Sequence, residues 1–117
     1  MTYTASMSRY EIETYTTETG KAPFEVWLKS LRTAAPVWRL PPASNAAIGD
    51  FGDWKSLSGA KGIFEMRIHY AQGYRVFYTV VGQKVVLFLA GSTKQEQDKT
   101  IAKAKEYLAD YNERVRQ

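Results

Sequence analysis

The chain has 117 residues, 44% of them hydrophobic and 14% aromatic, enough to bury one compact core and too few for two. Sixteen Lys and Arg against twelve Asp and Glu give a net charge of +4, which favours an acidic partner without requiring one. The absence of cysteine excludes disulfides, thiol catalysis and Cys-based metal sites, and a single histidine cannot build a histidine cluster, so neither metal nor cofactor is expected.

No apolar run approaches a membrane span, and the N-terminus lacks the charged-then-apolar pattern of a signal segment, so the expected location is the cytoplasm. Residues 1–7 are small and polar without periodicity and read as a disordered extension ahead of a single domain over 8–112. Tyr10–Thr16 sets Tyr10, Ile12 and Thr14 against Glu11, Glu13 and Tyr15, the alternation of a first strand. Thr17–Lys21 turns the chain through Gly20. Pro23 suits the first turn of a helix, and Phe24, Trp27, Leu28 and Leu31 follow at helical spacing, a face for packing on a sheet.

Thr33–Ala47 breaks the pattern, because Pro36, Pro41 and Pro42 forbid a continuous helix and no alternation replaces it. Phe51–Lys61 reads as a loop carrying Lys55 and Lys61. Phe64–Tyr70 alternates Phe64, Met66, Ile68 and Tyr70 with Glu65, Arg67 and His69, and Tyr74–Val81 follows after a glycine-containing connection. Gly82-Gln83 is a two-residue hairpin turn, and Lys84–Ala90 is apolar enough for a strand covered on both faces. Thr93 with Glu96 three residues on predicts a capping box at the start of a last helix. That helix carries Ile101, Ala104, Leu108 and Tyr111 on one stripe, and residues 113–117 form a frayed tail.

Pairing Tyr70 with Tyr74 sets Ile68 opposite Val76 and His69 opposite Arg75. Met66, Ile68, Tyr70, Tyr74, Val76 and Tyr78 then share one side, with Tyr78 in the core, while Glu65, Arg67, His69 and Arg75 share the other with Phe77 and Thr79. Such a charged sheet face suits a polyanion.

The string GYRVFYTV (Gly73–Val80), preceded by FEMRIHY and followed by VVLFLAGSTKQEQDKTIAKAK, resembles the RelE/ParE toxins of bacterial type II toxin–antitoxin systems. Within them it is most similar to the HigB-like branch, the phage-derived addiction module killer proteins. The shared order is a Glu-aliphatic-Arg strand, a Tyr-Arg strand and a Gly-x-x-Lys-x-x-Gln-Asp helix start, and the likeness covers Tyr10–Leu31 and Phe51–Tyr111.

The resemblance implies a RelE-like α+β domain: an N-terminal strand and helix, a three-stranded antiparallel meander and a C-terminal helix. It also implies a toxin that cleaves mRNA in the ribosomal A site. The 2′-hydroxyl attacks the adjacent phosphate without a metal, and the partner is a helix-turn-helix antitoxin. On that reading Arg75 and Arg67 clamp phosphate, Glu65 is the candidate base by family position, and Lys94, Lys61, Lys55 and His69 contact RNA. His69 has the side chain of a general base, but a lone histidine between Arg67 and Tyr70 reads better as a polar filler of the face. The plainer alternative for the arginines is a solvated face paired with Glu65, and for Lys94 a solvated first-turn lysine. A late His-Tyr or Tyr pair found in some RNA-cleaving relatives is missing. Two further functions stay open, a ParE-like gyrase inhibitor and a binding module that retains only antitoxin contacts.

Relatives carry a basic helix where this chain has Thr33–Ala47. One allowed coding of that segment, read two nucleotides later, gives Arg-Arg-Ala-Arg-Val-Ala-Ile-Ala-Ala-Arg-Ile-Lys-Arg, the pattern of the replaced helix. The expectation is an irregular segment created by paired, compensating frameshifts.

Overall fold

Proline at the first helical position, short β-branched runs and glycine turns translate into a mixed α+β domain. The computed structural model describes residues 10–31, 53–69, 73–82 and 84–115. The elements are β1 (Glu11–Thr14), α1 (Pro23–Ser30), β2 (Asp53–Ser56), β3 (Phe64–Ile68), β4 (Tyr74–Val81) and β5 (Val85–Thr93). A 3-10 turn (Lys94–Glu96) then leads into α2 (Gln97–Val115). The expectations for 1–7 and for Thr33–Ala47 lie outside the described residues.

The sheet has five strands in the order β1-β5-β4-β3-β2, not the three of the expected meander. β2 extends the meander to four antiparallel strands, pairing Asp53 with Arg67 and Lys55 with Glu65. β1 joins the other edge, parallel to β5 from Glu11–Val85 to Thr14–Phe88. The β3–β4 register places Arg67 opposite Arg75 and Ile68 opposite Tyr74, two residues from the expected pairing. A shift of two preserves the faces, so the expected division of side chains holds.

α1 covers one face. Its Phe24 and Leu31 pack with Met66, Ile68, Tyr74, Val76, Tyr78, Val86 and Phe88. Trp27 lies so close to β5 that a Cβ on Gly91 would stand 2.2 Å from its ring, so the indole requires glycine beneath it. α2 covers the other face through Ile101, Ala104, Tyr107, Leu108 and Tyr111, over Tyr15, Phe77, Leu87 and Leu89. Buried on both faces, β5 is apolar on both, as its sequence indicates.

One irregularity sets the arrangement near the end of β5. Tyr78 pairs with Phe88 but Phe77 with Ala90, so Leu89 is an extra residue in the ladder, a β-bulge. Straight alternation would turn Ala90 and Ser92 toward α1 and Gly91 toward α2. The bulge reverses this. Gly91 lies opposite Val76 under Trp27, and Ser92 lies opposite Arg75 on the α2 side.

Two helix ends differ from expectation. Thr93 precedes the 3-10 turn with extended backbone, but its side chain makes no capping hydrogen bond, so the predicted capping box does not form. α2 continues to Val115 instead of fraying after residue 112, since Arg114 is paired with Asp110 at 2.9 Å and also donates to the Thr16 carbonyl.

Candidate nucleic-acid interface

Strand pairing assembles the site. Antiparallel partners share a face, so Asp53 (β2), Arg67 (β3), Arg75 (β4) and Ser92 (β5) form one row across four strands, on the α2 side and beside the first residue of that helix. Two arginines directly opposite would repel. Glu65 resolves this from one rung below, where the residue is buried and its cross-strand neighbour is the fully buried Phe77.

Its Oε2 accepts a hydrogen bond from Arg67 Nε at 2.8 Å and stands 3.5 Å from Arg75 Nε. Arg75 Nε also donates to Gln97 Oε1 at 3.2 Å, tying the row to the start of α2. Among the described residues both guanidinium groups are thus held through Nε. Their planar outer Nη groups remain for an anion with two acceptor oxygens, such as the phosphate of a phosphodiester. The Glu65 hydrogen bond raises the Arg67 pKa above its already high ordinary value, so this guanidinium stays charged.

At the exposed end of the row, His69 Nε2 lies 2.5 Å from Asp53 Oδ2. The histidine hydrogen bond, with Arg67 and Arg75 adding attraction, holds the Asp53 carboxyl below its usual range. Two other polar groups are buried with partners, Ser92 Oγ donating to the Thr93 carbonyl at 2.9 Å and Thr79 Oγ1 to that of Gly62 at 2.6 Å.

The structure thus unites Glu65, Arg67, Arg75 and His69. Lys55 is on the same face, opposite Glu65, but on a strand and not in the expected loop. Lys94 lies on the 3-10 turn just past Thr93, which pairs with Tyr74, so it belongs to the same end of the sheet. Lys61 does not. It sits in the β2–β3 connection at the far end of β3, where Gly62 meets Thr79. The base role expected of Glu65 does not fit its place, since the carboxylate is buried under two guanidinium groups.

Sequence reading missed Asp53 and Gln97. The short alternation of Asp53 and Lys55 about Trp54 was the available signal for the first, and the Gln of the helix-start motif for the second.

A family model described as phage-derived protein Gp49-like matches residues 41–110, which include the whole row, its histidine and Gln97. The chain belongs to the Gp49-like family. This is a phage-derived family of the addiction-module toxin type. A Gp49-like chain of this sequence is also 40% identical, over 87 residues, to an uncharacterized protein of Haemophilus influenzae (strain Rd), covering 70% of this chain and 82% of that protein. β1 and α1 of the Gp49-like domain fall outside the family match. Among the described residues no helix is long and apolar enough to cross a membrane, and no group of three or more His, Asp or Glu is placed to hold a metal ion.

Proposed function

We propose that this chain is the toxin of a toxin–antitoxin pair of the RelE/HigB kind, which inhibits translation by cleaving mRNA on the ribosome and is held in check by a helix-turn-helix antitoxin. The observation that carries the reading is the pair of facing arginines fixed through Nε by a buried glutamate. Such a pair is pre-organised for a phosphodiester and for the charge that builds on it as a 2′-hydroxyl attacks. Internal attack needs no external nucleophile, so the protein's task is to orient, neutralise charge and move protons. Lys94 and Lys55 extend the positive field along the RNA backbone. Glu65 acts as an anchor that aims both guanidinium groups.

The test is cleavage of a short mRNA on bacterial ribosomes. Arg75→Ala is expected to lower the single-turnover rate by ~100-fold or more, the scale of losing one pre-organised charge-stabilising group. Arg67 remains on Glu65 in this variant, so circular dichroism should show a folded protein. A folded variant that cleaves like the parent overturns the reading. Inhibition of gyrase supercoiling without mRNA cleavage would select the ParE-like alternative. Neither activity, with antitoxin binding intact, would select a binding module.

A further inference from the structure

We propose that His69 is the general base of the cleavage proposed above, on which this inference rests, and that Asp53 is its positioning residue. The geometry that points to it is the hydrogen bond between His69 Nε2 and Asp53 Oδ2, made at the open end of the arginine row. Asp53 is the cross-strand partner of Arg67, so binding to it draws the imidazole alongside the groups that hold the phosphate.

The tautomer follows from the partner. An ionised carboxylate can only accept, so the proton of a neutral imidazole lies on Nε2, and Nδ1 is left with a lone pair for an incoming proton. The side chain is 70% exposed, which leaves that nitrogen open to substrate.

Other proton acceptors near the row are poorly placed. Glu65 has a side-chain exposure of only 3% and is engaged by two arginines. Tyr74 and Tyr78 are buried on the α1 side, and burial pushes the Tyr78 phenol further up, away from the ionised form. Lys55 and Lys94 are cations. The charged or titratable groups that share the site with His69 are therefore Asp53 and Lys55 from β2, Glu65 and Arg67 from β3, Arg75 from β4, and Lys94 from the 3-10 turn.

In the step, the 2′-hydroxyl proton passes to Nδ1 as the 2′-oxygen forms its bond to phosphorus. The bond from phosphorus to the 5′-oxygen breaks, and the departing oxygen takes a proton from water. The products are a 2′,3′-cyclic phosphate and a free 5′-hydroxyl, and the imidazolium returns its proton to solvent. Arg67 and Arg75 hold the two non-bridging oxygens throughout, so base and clamp act on one phosphodiester from one sheet face.

The experiment uses the intact chain, ribosomes and a short mRNA at single turnover, with ribosome binding measured in parallel. His69→Gln is expected to lower the cleavage rate by ~100-fold or more with mRNA–ribosome binding retained, as for loss of a general base. The acidic limb of the pH–rate profile should vanish with it, and added imidazole should partly restore His69→Ala. Asp53→Asn should slow the parent protein but add nothing in the His69→Gln background, because it acts through the ring. The assignment is overturned if His69→Gln cleaves within about threefold of the parent while Arg75→Ala does not cleave, a result that leaves the endonuclease itself standing. No cleavage by the parent chain removes the endonuclease and the base together.

Discussion

Two polar clusters lie on the α2 side of the sheet, one at each end of that helix, and they use similar residues to opposite effect. At the C-terminal end the Tyr15 hydroxyl donates to Asp110 at 2.6 Å, Arg114 meets the same carboxylate at 2.9 Å, and its guanidinium lies 5.4 Å from the Tyr15 ring centre. Tyr15 also stacks on Tyr107 with centroids 5.0 Å apart. These contacts close on the chain itself and clamp the end of β1 to the helix, with Arg114 Nε alone buried without a hydrogen-bond partner among the described residues. At the N-terminal end one buried carboxylate faces two arginines, and the guanidinium groups are gripped from the inside only. A closed circuit of charges stabilises, while an open one is ready to bind. The distinction rests on geometry, since an arginine–carboxylate pair with a polar neighbour occurs in both.

Replacing the central carboxylate is the most forceful way to break this contrast. Glu65→Gln keeps the shape but leaves Arg67 and Arg75 facing each other with only Asp53, at the exposed end of the row, as a neighbouring anion. Cleavage should fall by ~100-fold as the guanidinium groups lose their alignment. Stability should fall by about 2 kcal/mol, less than for a fully enclosed pair because the arginines reach water. Thermal melts beside cleavage assays decide the matter, and lost stability with full activity would make this cluster a second clamp.

The C-terminal cluster should show the reverse. Tyr15→Phe is expected to cost about 1–2 kcal/mol, one hydrogen bond to a charged group, and to leave cleavage unchanged. Burial and the Asp110 hydrogen bond push the Tyr15 phenol from its ordinary 10.0 up to about 12. The folded state therefore favours the neutral phenol. Its stabilisation is fully present below pH 10 and is lost as pH rises toward 12. Denaturant melts of parent and variant should differ most at neutral pH and converge across that window. A gap that persists at high pH would place the effect elsewhere.

The smallest effect sharpens the boundary between the clusters. Thr93 stands at the junction of β5 and the 3-10 turn without a capping bond, so Thr93→Ala should change stability by less than about 0.5 kcal/mol. A loss near 1 kcal/mol in a thermal melt would restore the capping box.

Much of this was legible in the residues. Pro23 marked the start of α1, the stripe from Ile101 to Tyr111 marked the buried face of α2, and period-two alternation put Glu65, Arg67 and Arg75 on one side. What escaped lacked a local signal. β2 is four exposed residues, Asp-Trp-Lys-Ser, with only Trp54 to suggest a pleat, so Asp53 and its histidine partnership stayed hidden. The parallel pairing of β1 with β5 joins segments some seventy residues apart, and neither strand names its neighbour. The arginine register depended on the length of a connection that alternation does not measure. The burial of Glu65 depended in turn on its neighbours across the sheet, not on its own strand.

The surplus residue at Leu89 works as an expansion joint. It separates the half of β5 governed by the Val81–Val85 hairpin from the half that carries Gly91 beneath Trp27 and Ser92 beside Arg75. A deletion there would leave a gap under α2 yet return the ladder to regular pairing with the arginine row unmoved. A deletion after Gly91 has no such slack, and would pull Ser92, Lys94 and Gln97 out of step together. The history of insertions in this family should therefore be written upstream of Gly91, while the spacing from Gly91 to Gln97 stays fixed.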